Sequence, residues 1–219
     1  MPRVLIRSPK HAPIVILALV ACALAGCEKP PPGRRPAPGR TIEALSRIRH
    51  DRAYDRLAAH MSHQAATRVR AVLEAIGDFE RANLAMLETA RKLAPPEIVA
   101  ALDQHAVFSQ LEAFSAEIAV MSERIDGDAA EVSFIANATP PLKRTTLRWQ
   151  GDHWEYDPGA GFDDRLAPAI RKMAAGLSAF AADLRDGKFV IDRDHPESLL
   201  QALRERLEPG MRDMPAEPE

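Results

Sequence analysis

The chain has 219 residues, 46% of them apolar and only 5% aromatic, with a formal charge of −2. At roughly 100–200 residues per domain this allows one domain plus accessory segments, with a core built mostly of Leu, Ile, Val, Ala and Met. The basic excess that sequence-independent nucleic-acid binding needs is missing; the two cysteines, Cys22 and Cys27, both lie near the N-terminus, which excludes disulfides, thiolate metal sites and a cysteine nucleophile from the body.

Residues 1–26 read as an export signal. Arg3, Arg7 and Lys10 form a basic start, and Pro13 to Ala25 is apolar. That apolar run, about 15 residues, falls short of the roughly 20 needed to span a bilayer as a helix. Without residues 1–26 the chain has 26 basic and 31 acidic residues, a charge of −5. Leu24-Ala25-Gly26-Cys27 closes the run: a branched residue, two small residues and a cysteine. It resembles the lipobox of bacterial lipoproteins. The resemblance implies that Cys27 becomes the new N-terminus and carries acyl chains, two or more of which hold a protein firmly to a membrane. Leu19-Val20-Ala21-Cys22 is a weaker version of the pattern, which shortens the apolar region and leaves Ala23 to Gly26 exposed. Glu28 follows Cys27 where enteric inner-membrane lipoproteins carry Asp, so the resemblance favours the outer membrane.

Residues 27–40 are a linker. Glu28 to Arg40 contains five prolines and two glycines, a composition that favours extended polyproline II. At about 3 Å per residue it holds the domain some 30–40 Å from its attachment. Its arginines, Arg34, Arg35 and Arg40, either touch anionic headgroups or stay solvated; the solvated spacer is preferred.

The domain is expected over residues 41–208. Thr41 suits a helix N-cap, followed by Ile42, Leu45 and Ile48 on one face. Tyr54, Leu57, Ala58 and Met61 continue at helical spacing. The longest helical pattern runs from Thr67 to Leu93, with Val69, Val72, Ile76, Phe79, Met86 and Ala90 in one stripe that Asn83 interrupts. Pro95-Pro96 stops it, and Pro96 can open a short helix carrying Ile98, Val99 and Leu102.

The period then changes to two. A strand ending near Ile125, the turn Asp126-Gly127-Asp128, and alternation of Val132 and Phe134 predict a hairpin. Pro140-Pro141 punctuates the next connection. Thr145, Leu147 and Trp149 alternate with Arg144, Thr146 and Arg148; Gly151-Asp152 turns; Trp154 and Tyr156 share a face. This predicts a three- or four-stranded antiparallel meander with one apolar and one wet face.

Phe162, Leu166, Ile170, Met173, Leu177, Phe180 and Leu184 recur at helical spacing, with Pro168 near the start and Gly187 placed as C-cap. Phe189-Val190-Ile191 reads as an edge strand. Asp194-His195-Pro196-Glu197 opens a last helix with Leu199, Leu200, Leu203 and Leu207, and residues 209–219 read as a disordered tail. The fold class is therefore α+β: N-terminal helices packed on an antiparallel meander, followed by C-terminal helices.

The order of elements over residues 53–157, with Gly127-Asp128-Ala129-Ala130-Glu131-Val132 entering a strand and Gly151-Asp152-His153-Trp154-Glu155-Tyr156-Asp157 ending the sheet, resembles the lipid-anchored members of the nuclear-transport-factor-two-like superfamily. That resemblance implies a cystatin-like curved sheet wrapped on helices, often around a cavity. It implies no activity, because fold does not fix function.

Few side chains suggest chemistry. His60 and His63 have i, i+3 spacing, which on one helix aims two imidazoles at one metal, with Asp51 and Asp55 near in sequence; two exposed histidines is the plainer reading. His153, Glu155 and Asp157 alternate on the last strand, where an imidazole and acids can do acid–base work inside a cavity or simply face solvent. Trp149, with Trp154, can line a pocket or pack in the core. The pocket candidates are thus Trp149, His153 and Glu155. The charges from Arg68 to Lys92 mix signs and read as a solvated helix face. No serine elbow or phosphate-cradling glycine loop is present. The expectation is a non-catalytic, lipid-anchored binding module with no cofactor, partnered by the membrane through Cys27 and by an envelope protein or a small apolar ligand. The alternatives are an enzyme, hydrolase- or isomerase-like, using a cavity over the sheet, and an assembly element whose Phe162–Leu184 helix packs on a partner.

Overall fold

A computed structural model describes residues 35–108, 111–192 and 195–215. Cys27, residues 1–26 and most of the linker lie outside the described residues. Among the described residues five α-helices and four strands follow in chain order: α1 Gly39–His50, α2 His63–Ala90, α3 Pro96–Leu102, β1 Ile118–Asp126, β2 Ala129–Ala136, β3 Thr139–Trp149, β4 Trp154–Tyr156, α4 Leu166–Arg185 and α5 Glu197–Arg212. The sheet is an antiparallel meander in the order β1-β2-β3-β4. The α+β class and the placing of helices on both sides of the meander in sequence are as expected.

The folded unit begins at Ala37, and α1 starts two residues before Thr41. Thr41 is not the cap but a buried residue of the helix. The N-cap position is Pro38, which offers no side-chain acceptor, and the first turn is satisfied from outside: Gly39 N–H donates to Glu123 Oε1 of β1 at 3.1 Å. A carboxylate at a helix N-terminus also opposes the helix dipole favourably. Ile42, Leu45 and Ile48 are buried as the spacing predicted. Tyr54 to Ala59 forms a tight helical turn rather than a continuation of α1, with Leu57 buried and Ala58 exposed.

α2 is unbroken for 28 residues through Gly77 and Asn83. Its N-cap is Ser62, whose hydroxyl accepts from Ala65 N–H. The interruption of the apolar stripe at Asn83 has a specific use. This buried amide donates from Nδ2 to Asp103 Oδ1 at 2.7 Å and accepts from Gln104 N–H at 3.1 Å, tying the end of α3 to α2.

Gly127-Asp128 makes the two-residue hairpin turn between β1 and β2. The next turn is not at the prolines. Asn137 and Ala138, both with φ 52°, make the β2–β3 turn, and Pro140-Pro141, joined by a cis peptide, lies inside β3. The register shifts there: Ala136 faces Thr139 and Phe134 faces Lys143, so the prolines sit in the irregular stretch where no ladder hydrogen bond is asked of them. Ala130, Val132, Phe134 and Ala136 of β2, Leu147 of β3 and Trp154 and Tyr156 of β4 are buried on the inner face. α1 packs against β1 and β4 on that side.

α4 packs against α2 on one side and α5 on the other. Its stripe of Ile170, Met173, Leu177, Phe180 and Leu184 is buried in the common core. The uncovered apolar face that motivated the assembly alternative is therefore absent from α4. Close approach decides the α4–α5 contact: a Cβ built on Gly176 would collide with the Arg206 carbonyl. Beside it the buried Asp183 carboxylate receives Lys188 Nζ at 2.7 Å and the Arg206 guanidinium of α5. These cations, Lys188 foremost, hold the Asp183 carboxyl below its ordinary value against the opposing effect of burial.

α4 ends in a Schellman motif. Gly187, with φ 69°, donates to Leu184 O at 3.1 Å, and Lys188 N–H reaches back to Asp183 O at 3.0 Å. This turn corrects the edge-strand expectation for Phe189-Val190-Ile191. The chain folds back on α4, where the Phe189 ring lies 5.1 Å from that of Phe180, while Val190 stays 86% exposed. The tail expectation is corrected over residues 209–215, while residues 216–219 lie outside the described residues. α5 continues through Pro209 to Arg212 because Gly210 is buried against Ala169 and Met173, and Asp213 pairs with Lys172.

Candidate functional site

The pleat separates the residues that alternate along the end of the sheet. Leu147 faces Tyr156 and Trp149 faces Trp154, whereas Arg148 faces Glu155. Side chains of successive residues point to opposite faces. Trp149 therefore belongs with the core: its ring meets that of Trp154 edge-on at 5.2 Å, and it packs on the buried cluster. Glu155 belongs to the outer face with Arg148. The sequence brought Trp149 and Glu155 together as pocket candidates; the strand register parts them. The inner face that a family-type cavity would hollow out is filled by Val132, Phe134, Leu147, Trp154 and Tyr156.

His153 lies just before β4. Its Nδ1 is 2.7 Å from Asp152 Oδ1, and this contact holds the Asp152 carboxyl below its ordinary value. His153 also acts on His60, whose imidazole is pushed below 6.5, first by burial and then by the charges of His153 and Arg47. His60 is fixed by its backbone, its carbonyl accepting from Tyr156 N–H at 2.7 Å. It does not share a helix with His63. Ser62 breaks the chain between them as the N-cap of α2, so the i, i+3 geometry that suggested a metal pair is not formed. Among the described residues no group of three or more His, Cys, Asp or Glu side chains is arranged to hold a metal.

The concavity that does open at the sheet is a cleft of about 320 Å³ beside β4. The first turns of α2 contribute Ser62, Ala65 and Arg68; the end of β3 contributes Arg148; and β4 with the residue after it contributes Glu155, Tyr156 and Asp157. Tyr156 is buried and anchors the floor, its ring edge-on to Phe114 at 5.8 Å. Asp157 is partly spoken for, since its Oδ1 accepts from Gly159 N–H at 2.9 Å. Glu155 is thus the one pocket candidate from the sequence that lines this cleft. Trp149 and His153 do not.

Arg68 and Arg148 escaped the sequence reading because each sits in a mixed-charge pattern that looks solvated. One signal was available. Arg70 has Glu74 four residues on and pairs with it at 2.8 Å, whereas Arg68 has Gln64, Ala65, Ala71 and Val72 at the helical neighbour positions and no acid. Arg68 thus lacks the local partner that Arg70 and Arg81 have on the same helix.

No helix among the described residues is long and apolar enough to cross a membrane. Comparison with protein-family models, with curated proteins and with solved structures found no match.

Proposed function

We propose that this chain is a lipid-anchored protein of the bacterial cell envelope whose domain is a non-catalytic binding module, with the cleft beside β4 as its binding face. Anchoring rests on Leu24-Ala25-Gly26-Cys27 and on the proline-rich spacer behind it, which has a purpose only if a domain is tethered. The outer membrane is preferred because Glu28 follows Cys27. Kinship with the nuclear-transport-factor-two-like lipoproteins is part of the same proposal. The order of helices, hairpin and closing strand over residues 53–157 supports it, while α4 and α5 stand outside that pattern.

The observation that carries the binding reading is the pairing of a filled inner sheet face with an open, charge-lined cleft at the sheet edge. General acid–base catalysis needs an acid or base held within reach of a substrate in a partly water-excluded site. His153 and Glu155 instead occupy different surroundings, one paired with Asp152 and one on the outer face. The test is turnover. Full-length protein offered ester, glycoside and phosphate substrates is expected to show none that depends on these residues. Activity that disappears in His153→Gln or Glu155→Gln would replace the binding module with an enzyme.

A further inference from the structure

We propose that the cleft beside β4 is a receptor site for a small oxyanion, a carboxylate or phosphate group held between the guanidinium groups of Arg68 and Arg148. This rests on the binding-module reading and names its ligand class.

Arg68 carries the argument. Its Nε is buried and has no hydrogen-bond partner, the one buried side-chain nitrogen or oxygen so left among the described residues. An unmade donor on a charged group inside a protein is costly, and such groups are normally paired. The Asp163 carboxyl is held below its ordinary value chiefly by Arg165 and only lastly by the charge of Arg68. Arg165 donates to Asp163 from Nε at 3.1 Å, from Nη2 at 3.0 Å and from its backbone N–H at 2.7 Å. No acid stands within helical reach of Arg68 on α2. The guanidinium is thus oriented by packing, with its Nε shielded from solvent, and it enters no ion pair among the described residues.

Two further features aim at the same place. Arg148 projects from the outer face of β3 and, among the described residues, closes no ion pair with Glu155 opposite it. Ser62 and Ala65 also line the cleft, which places it beside the positive end of a 28-residue helix whose Ala65 N–H is already capped by Ser62. A planar guanidinium fork matches carboxylate and phosphate oxygens better than an ammonium does. Glu155 and Asp157 on the same rim bring the formal charge of the lining to zero. The two carboxylates repel an extended polyanion more than a compact oxyanion that meets the arginines alone. Size and charge distribution therefore select a small ligand.

The test uses the full-length protein in detergent, titrated with inorganic phosphate and separately with succinate. Heat of binding and the Nε–Hε resonance of Arg68 are followed together. Saturable binding of either probe with a shift of that resonance supports the site, and which probe binds distinguishes a phosphate ligand from a carboxylate one. Arg148→Gln and Arg68→Lys should each weaken binding about tenfold, the scale of losing one charge-assisted contact. Arg144→Gln, on the same sheet face outside the cleft, should leave it unchanged. If Arg68→Lys fails to fold, Arg148→Gln decides. Absence of saturation by both probes up to roughly 10 mM, beyond which an affinity carries little specificity, overturns the proposal. So does binding that Arg144→Gln weakens as much as Arg148→Gln. Either result removes the oxyanion and leaves the anchored, non-catalytic reading to its own tests of turnover and of Cys27.

Discussion

The Asn83 amide on α2 donates to the Asp103 carboxylate just beyond α3 at 2.7 Å. Asn83 is 4% exposed and stands in the middle of an apolar stripe, so this contact, with the Gln104 N–H on its other side, is what allows a polar group there. Asn83→Ala takes the acceptor from the Gln104 N–H and removes one contact of the Asp103 carboxylate. Leaving a buried polar group unmade costs about 1–3 kcal/mol. The urea midpoint should fall accordingly with an unchanged slope, and an Asn83→Ala midpoint equal to that of the parent would mean the contact contributes nothing.

Gly176 is fixed by the Arg206 carbonyl rather than by its dihedral angles. Backbone cannot move aside as a side-chain tip can, so Gly176→Ala forces α4 and α5 apart. Overpacking of this kind costs about 1–3 kcal/mol. The loss should appear in thermal unfolding and should be larger than that of Gly77→Ala, where an added Cβ meets only the Arg81 guanidinium at 3.5 Å.

His60 makes stability depend on pH in one direction. Its folded pKa lies below the ordinary 6.5 because burial, His153 and Arg47 all disfavour the imidazolium. In the window between the folded value and 6.5 the unfolded chain binds more protons, so stability rises with pH there and is lost as pH falls. His60→Gln should flatten that part of the profile measured by urea unfolding. The Asp183 carboxyl, lowered by Lys188 and Arg206, contributes in a separate window below 3.8 and should persist in the variant.

Trp149 and Glu155 should separate by the kind of damage their loss causes. The edge-on Trp149–Trp154 contact is worth about 0.5–1.5 kcal/mol beyond burial, so Trp149→Ala should unfold more easily by at least that amount. Glu155→Ala, on the outer face, should stay within about 0.5 kcal/mol of the parent. Equal stability losses would mean that the pleat assignment of the two faces is wrong.

Much of the fold was legible because its signals are periodic and local. Ile170, Leu177 and Leu184 repeat at the spacing that buries one helix face, Asp126-Gly127-Asp128 announces a hairpin, and Trp154 and Tyr156 alternate inward. The errors share a different character. Thr41 looks like a cap, but Glu123, 84 residues beyond Gly39, reaches the first turn instead. Phe189 to Ile191 looks like a strand, but the Schellman turn at Gly187 sends it back to Phe180. Pro209 looks like a stop, but Gly210 docked on Met173 carries α5 past it. The site was harder still. An unpaired arginine is defined by what does not surround it in space, and only the missing acids around Arg68 hinted at that along the chain.

The proposed membrane attachment is tested most directly at Cys27. The direct measurement is the intact mass of the protein extracted from cell membranes, with the N-terminal peptide sequenced by fragmentation. The account predicts a chain that begins at Cys27 and carries acyl groups, and a Cys27→Ser protein that is unacylated and leaves the membrane fraction with its domain folded. A mature chain that keeps residues 1–26, or a Cys27→Ser protein that stays membrane-bound, would contradict it.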